Sequence, residues 1–231
     1  MKSNEDYIVI DGYKHKLYKS DKFGEEVMLK RSGEFYKWLD KRRTVREYSS
    51  KRVPREIIEN ILMSASTAPS GANHQPWTFC AISNPDLKSK IRQAAEMEEK
   101  KSYEQRMGAE WKKDLEHLAT NTQKPFLEKA PWLVAVFKKP YDIDENGNRI
   151  NNYYVNESVG LACGMLIAAI HNAGLSTLTY TPSPMGFLTK ILDRPVNEKP
   201  FLLLPVGYPK EPLYVPDINR KSLNDISVFY E

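Results

Sequence analysis

Lys41-Arg42-Arg43-Thr44-Val45-Arg46-Glu47-Tyr48 places three arginines and a threonine hydroxyl within five residues. A short amphipathic segment, Glu34 to Lys41, precedes it, with Ser32 and Gly33 as start signals. Planar guanidinium forks beside a hydroxyl match the oxygens of a phosphate monoester. A basic run at a helix end also complements the helix dipole as a solvated face, so alone the stretch has two readings. A second stretch, Thr67-Ala68-Pro69-Ser70-Gly71-Ala72-Asn73-His74-Gln75-Pro76-Trp77, favours the first. Its Ala68-Pro69-Ser70-Gly71 is a turn in which small residues let backbone N–H groups approach a ligand.

Outward from these stretches the chain alternates strands and helices. Ile57, Ile58, Ile61, Leu62 and Ala65 keep helical spacing behind Pro54. Trp77 to Ile82 reads as a buried strand, and Asn84-Pro85 opens a charged helix running to about Leu118. Pro131 to Phe137, Ser176 to Thr181 and Phe201 to Val206 read as further strands. A small-residue helix through Gly160, Ala162, Gly164, Ala168 and Ala169, closed by Gly174, is either a core helix or a subunit-interface helix. Phe187 to Leu192 is a short helix. The first 30 residues form an irregular arm with a strand at Tyr7 to Ile10. This order predicts a layered α/β or α+β fold.

Composition limits the functions available. A chain of 231 residues has room for a sizeable core, and its net charge of +4 is too mild to argue for nucleic acid. The longest apolar run, Val159 to Ile170, is short of the ~20 residues a membrane span needs, and the polar start shows no signal peptide. The expected compartment is the cytoplasm, with Cys80 and Cys163 as buried free thiols. His15, His74, His117 and His171 lack metal-ligand spacing, so no metal is expected. Ser70 is not in a nucleophile elbow, and the glycine-rich nucleotide cradles are absent. Asp142 to Tyr153 imitates a calcium loop but ends on Tyr153 where a bidentate Glu is needed, so it reads as a polar hairpin turn. What remains is a phosphate anchor, a small-residue loop and the hydroxyl-rich Thr179-Tyr180-Thr181-Pro182, all of which a flavin mononucleotide (FMN) would use.

At these residues the chain resembles the nitroreductase flavoprotein superfamily. Arg42-Arg43-Thr44-Val45-Arg46 looks like its FMN-phosphate motif and Asn73 to Trp77 like the loop before its first long strand. Thr67 to Ala72, Glu99 to Gly108, Lys124 ahead of Phe126 to Pro131, and Leu204-Pro205-Val206-Gly207-Tyr208-Pro209 are similar to the iodotyrosine deiodinase branch. The resemblance runs from about Glu34 to about Leu223. It implies an α+β fold with a central mixed or antiparallel sheet flanked by helices, assembled as a domain-swapped homodimer with two FMN sites at the interface. The division implied is an arm over 1–31, an FMN-binding domain over 32–208 with a lid over 96–125, and an extension over 209–231 wrapping the partner.

Residue by residue, the resemblance assigns Arg42, Arg43, Thr44, Arg46 and Arg220 to FMN from one subunit, and Pro69, Ser70 and Gly71 from the other. Thr179, Tyr180 and Thr181 join the cofactor set, with the Thr181 hydroxyl near flavin N5 as the catalytic group. The Ala72 N–H would hold the substrate phenolate, while Glu99, Tyr103 and Lys124 would grip an amino-acid zwitterion. Elementary chemistry agrees with that last set. Glu99 and Tyr103 are four apart, so on a helix they share a face; a carboxylate suits an ammonium and a lysine suits a carboxylate.

The implied activity is reductive removal of halogen from 3-halogenated tyrosines, with electrons from NAD(P)H directly or through a reductase. Two departures matter. Animal members of that branch carry an N-terminal membrane anchor, which the polar residues 1–31 do not supply. Asn73-His74-Gln75 is closer to general nitroreductases, so a broader NAD(P)H nitroreductase or quinone reductase is the alternative, and a non-enzymatic flavin-binding module is a third reading.

Overall fold

The computed structural model describes residues 7–231; residues 1–6, the start of the expected arm, lie outside them. Contacts divide the chain into two units, 1–41 and 42–231.

In the first unit, β1 (Tyr7–Ile10) pairs antiparallel with β2 (Tyr13–Lys16). Asp11 and Gly12 both take positive φ, 49° and 84°, the Asp-Gly turn whose twist matches a two-residue hairpin. The arm is therefore more regular than its composition suggests. Helix α1 (Glu25–Asp40) starts nine residues before the expected Glu34. Gly24 is its extended N-cap, and Glu25 and Glu26 meet the positive end of the dipole. Ser32 is not a start signal. Its Oγ donates to the Leu29 carbonyl at 3.0 Å from inside the helix.

The second unit is built on a four-stranded antiparallel sheet in the order β3 (Trp77–Ile82), β4 (Trp132–Lys138), β8 (Lys199–Gly207), β7 (Ser176–Thr177). Alternation along β4 sorts its side chains onto two faces. Val134 and Val136 meet α2 (Arg55–Ser66) and α6 (Val155–Asn172) through Ile58, Ile61, Ala65, Val159, Leu166 and Ile170. Leu133, Ala135 and Phe137 meet α3 (Pro85–Lys101), α5 (Phe126–Lys129) and α7 (Gly186–Ile191) through Ile91, Ala95, Leu127 and Leu188. The expected α+β class with an antiparallel sheet between helices holds. Helix α6 commits one face to the core, while Gly160, Leu161, Gly164 and Met165 remain exposed.

Three element expectations need correction. The helix from Asn84 does not run to Leu118. Asn84 does cap it, accepting from Leu87 N at 3.0 Å, but after Lys101 the chain winds into a π-type turn over Ser102–Arg106. Gly108 then sits extended as the N-cap of a separate α4 (Ala109–Glu116). The strand at 176–181 is shorter, because after Thr177 pairing resumes only at Tyr180 opposite Leu203. Cys163 is buried, as expected, but Cys80 is only half-buried; neither forms a disulfide.

The 142–153 stretch is the expected hairpin: β5 (Tyr141–Ile143) pairs with β6 (Arg149–Asn151). Asp144 closes the turn by accepting from Asn146 N and Asn148 N at 2.9 and 2.7 Å. Among the described residues, no helix is long and apolar enough to cross a membrane. The last helix, α8 (Leu223–Ile226), begins with a capping box between Ser222 and Asp225.

Candidate active site

The arginine stretch is held as a strand-like segment on the edge of the second unit. Thr44 bridges Thr177 in parallel, and Val45 N donates to the Thr177 carbonyl at 3.2 Å. Val45 and Tyr48 are buried, Arg42, Arg43, Thr44 and Arg46 are half-buried, and Glu47 is exposed. The Tyr48 hydroxyl donates to the Val45 carbonyl at 2.8 Å and fixes the bend. The start of the C-terminal extension returns along the same segment. Lys210 N donates to the Glu47 carbonyl at 3.1 Å, Arg43 donates to the Pro216 carbonyl, and Arg220 donates to the Arg42 carbonyl at 2.9 Å.

Together Arg42, Arg43, Thr44, Arg46, Asn219 and Arg220 line a pocket of about 250 Å³. Burial, then the like charges of Arg220 and Arg43, pull the Arg42 guanidinium below its ordinary range. Crowding guanidiniums in this way is unfavourable until an anion lies among them.

A second pocket, of about 200 Å³, lies under the segment from Glu99 to Lys124. Arg46, Glu99, Tyr103, Lys124, Thr179, Tyr180 and Thr181 all line it, and Arg46 belongs to both pockets. Lys124 Nζ lies 3.7 Å from Glu99 Oε2, with side chains 5% and 12% exposed. The lysine also donates to Thr120 Oγ1 at 3.2 Å and to the Asn121 carbonyl. Burial lowers its ammonium pKa, and the Glu99 charge partly opposes that shift. The Tyr103 hydroxyl donates to the Thr120 carbonyl at 3.4 Å, and burial, then Glu99, raises its pKa. Thr179 and Thr181 are exposed, alternating with buried Leu178, Tyr180 and Pro182.

The covering segment is tied down at both ends. Glu96 accepts from Lys124 N at 2.6 Å while pairing with Arg92 at 2.8 Å. Arg106 donates to the Ser183 carbonyl at 2.6 Å and to Glu98 at 3.1 Å, linking the π-type turn to the loop beyond Thr181. A π-type turn inside a helix is a frequent companion of functional sites.

The small-residue loop stands apart: Pro69, Ser70, Gly71 and Ala72 line neither pocket. Their contacts run to the start of α6, where Gly71 N donates to Ser158 Oγ at 3.4 Å. A Cβ on Gly71 would lie 2.9 Å from the Tyr153 carbonyl oxygen. Ala72, Asn73 and Gln75 all take positive φ, near 50°, an unfavourable run for residues with a Cβ. A buttress holds it: His74 Nδ1 lies 2.6 Å from Asn152 Oδ1, and Asn152 Nδ2 donates to Asp142 and to the Lys139 carbonyl, both at 2.9 Å.

Every expected residue on the arginine and lid side therefore meets in two adjoining pockets, and the four from the small-residue loop do not. Glu96, Arg106, Asn152 and Asn219 were not anticipated. Arg92 and Glu96 carried a signal, an i,i+4 pair one turn before Glu99. The others depend on contacts distant in sequence. One pocket suits a phosphate. The other offers a carboxylate, an ammonium and phenols, suited to a zwitterion.

Comparison with known proteins bears on both pockets. The nitroreductase family model matches residues 39–208. An iodotyrosine deiodinase of Haliscomenobacter hydrossis is 58% identical over 213 residues, covering 92% of this chain and 96% of the relative. The chain belongs to the nitroreductase family, among its iodotyrosine deiodinases. An iodotyrosine deiodinase of Nematostella vectensis is 50% identical over 88% of this chain and 78% of its own length. A crystal structure of oxidized iodotyrosine deiodinase bound to FMN and 3-iodo-L-tyrosine superposes with a TM-score of 0.72 at 33% identity. It covers 84% of this chain and 100% of that one.

Proposed function

We propose that the protein is an FMN-dependent reductive dehalogenase of 3-halogenated tyrosines, releasing halide and tyrosine. The observation that carries this reading is the zwitterion pocket. A buried ammonium and carboxylate, Lys124 and Glu99, face each other at 3.7 Å beside Tyr103 and adjoin the arginine pocket through Arg46. A general reductase of flat, uncharged aromatics has no use for a buried charge pair at that position, since burying charges is costly.

The donor set fits FMN. Arg42, Arg43, Thr44, Arg46 and Arg220 would hold its phosphate, and Thr179 and Thr181, exposed on either side of the buried Tyr180, would face its ring system. FMN when bound supplies two electrons, which with one proton convert an aryl halide to the arene and a halide ion. The chain supplies the rest. Glu99 binds the substrate α-ammonium, Lys124 its α-carboxylate, and Tyr103 bridges them by hydrogen bonds. The Ala72 N–H, which lines neither pocket of its own protomer, would meet the phenolate bound in the partner protomer. The lid, 96–125, excludes water and aligns the ring. Thr181 would offer its hydroxyl as a hydrogen-bond donor to the reactive part of the flavin ring and so tune the electron chemistry the cofactor supplies.

The active form is a homodimer. Support comes from two surfaces: the exposed apolar and glycine face of α6, and the C-terminal extension, whose Tyr214, Phe229 and Tyr230 are 88%, 70% and 93% exposed. That extension, 209–231, wraps the partner, and Pro69, Ser70 and Gly71 reach the partner's cofactor. NAD(P)H, directly or through a reductase, is the electron source, and the two free thiols suit the cytoplasm.

Steady-state comparison of 3-iodo-L-tyrosine with a nitroaromatic tests the reading. Dehalogenation should dominate and should depend on Glu99, Tyr103 and Lys124. Rapid nitro reduction indifferent to all three would replace the proposal with a general nitroreductase.

A further inference from the structure

Tyr180 presents the most conspicuous unmet chemistry of the fold. Among the described residues its hydroxyl is the buried side-chain polar atom that lacks a hydrogen-bond partner. The side chain is not free to look elsewhere. The residue is 7% exposed, and its ring stands edge-on to Phe126 with centroids 5.6 Å apart. Its backbone is clamped to β8 by Tyr180 N to the Leu203 carbonyl at 2.9 Å and Leu203 N to the Tyr180 carbonyl at 3.0 Å. The ring is therefore a fixed wall of the pocket that also holds Glu99, Tyr103 and Lys124. Leaving a donor buried and unpaired costs stability, and such groups persist where a site uses them.

The neighbours narrow the use. Lys124, with Nζ 5.8 Å from the Tyr180 ring centroid, is a donor and cannot accept. The Tyr103 hydroxyl is directed to the Thr120 carbonyl. Glu99 has two oxygens able to accept hydrogen bonds, and its nearest cation is at 3.7 Å, beyond hydrogen-bond length. Burial, then the Glu99 charge and the approach of Glu99 as an acceptor outside full hydrogen-bond geometry, raise the Tyr180 phenol's pKa, so the group stays a protonated donor beside that carboxylate.

Building on the dehalogenase reading, we propose that Tyr180 is a positioning residue of the zwitterion pocket: its phenol donates to one Glu99 oxygen and aims the other at the substrate α-ammonium. The bond closes when the zwitterion draws Lys124 toward its own carboxylate and leaves Glu99 to turn. Tyr180 thereby belongs to the selection of amino acids over plain phenols, a different task from holding the cofactor.

The test uses FMN-loaded Tyr180→Phe, which removes the hydroxyl and keeps the ring against Phe126. Losing a hydrogen bond to a charged group should raise the KM for 3-iodo-L-tyrosine about tenfold, with kcat changed less than twofold. The KM for N-acetyl-3-iodo-L-tyrosine, which has no α-ammonium, should stay at the wild-type value, as should FMN content. In the Glu99→Gln background the tyrosine substitution should add much less, because the two act through one contact. An unchanged KM, or an equal rise for the N-acetyl compound, overturns the inference and leaves the dehalogenase reading intact. If wild-type protein releases no halide, that reading fails instead. Dissociation constants for L-tyrosine, from quenching of flavin fluorescence, then decide the role of Tyr180: equal values in wild type and Tyr180→Phe, or no binding, overturn it.

Discussion

The Lys124 ammonium stands 3.7 Å from the Glu99 carboxylate, too far for a hydrogen bond and too buried for water to screen it well. A pair held at that separation can exchange each partner for the opposite end of a zwitterion without either charge being stranded. Lys124→Ala and Glu99→Gln should each raise the KM for 3-iodo-L-tyrosine by roughly 10- to 100-fold, the range for hydrogen bonds to charged groups. Nitroaromatic turnover should stay within about twofold. Parallel KM measurements on the two substrate classes check this.

The arginine pocket carries a second expectation. Arg42→Ala should weaken FMN binding by about tenfold or more through loss of a charge-assisted contact. The stability lost should be small, because removing one of several crowded guanidiniums relieves repulsion from Arg43 and Arg220. Titration of apoprotein with FMN, alongside thermal unfolding of the apoprotein, separates the two effects.

Much of this was legible in the chain. Helix α2 and strands β3, β4 and β8 follow from periodicity, and Glu99 with Tyr103 from i,i+4 spacing. The misses have physical causes. Asp11-Gly12 is a strong two-residue turn signal, but the hairpin it joins is exposed on every residue, so no buried-exposed alternation marks its strands. The break at Met107 and Gly108 is masked by the helix-forming residues on both sides. Arg106 and Asn152 act through partners 77 and 78 positions away, as Arg106–Ser183 and Asn152–His74. No local pattern encodes such distances. Lys124 was placed by resemblance alone.

Thr181 is exposed and lines the pocket that also holds Glu99, Tyr103 and Lys124. Thr181→Ala should lower dehalogenation about five- to tenfold, the loss of one hydrogen bond, and raise nitroaromatic reduction relative to it. The ratio of the two rates in one preparation is the measurement. An unchanged ratio removes Thr181 from the chemistry.

The strained loop gives a stability prediction. Asn152 connects His74 to Asp142 and the Lys139 carbonyl, and is buried. Asn152→Ala should cost about 1–3 kcal/mol by leaving those groups unsatisfied, read as a lowered denaturant midpoint. Gly71→Ala should displace the loop, since the new methyl would meet the Tyr153 carbonyl oxygen at 2.9 Å.

Burial pushes the Cys163 thiol up to about 12 and raises the Cys80 thiol as well. A raised pKa means less thiolate at a given pH, and the thiolate is the nucleophile. At pH 8 the folded protein should react with a disulfide reagent far more slowly than the unfolded chain, which should titrate two thiols. Rapid modification of both in the native state would contradict the packing around β3 and α6.

Anaerobic single turnover tests the central claim most directly. FMN-loaded protein, reduced stoichiometrically with dithionite and freed of excess reductant, is mixed with 3-iodo-L-tyrosine. The account predicts return of the oxidised flavin spectrum, with about one equivalent each of iodide and tyrosine per flavin from the two-electron balance. Flavin that stays reduced with no iodide released, while a nitroaromatic oxidises it at once, would contradict it.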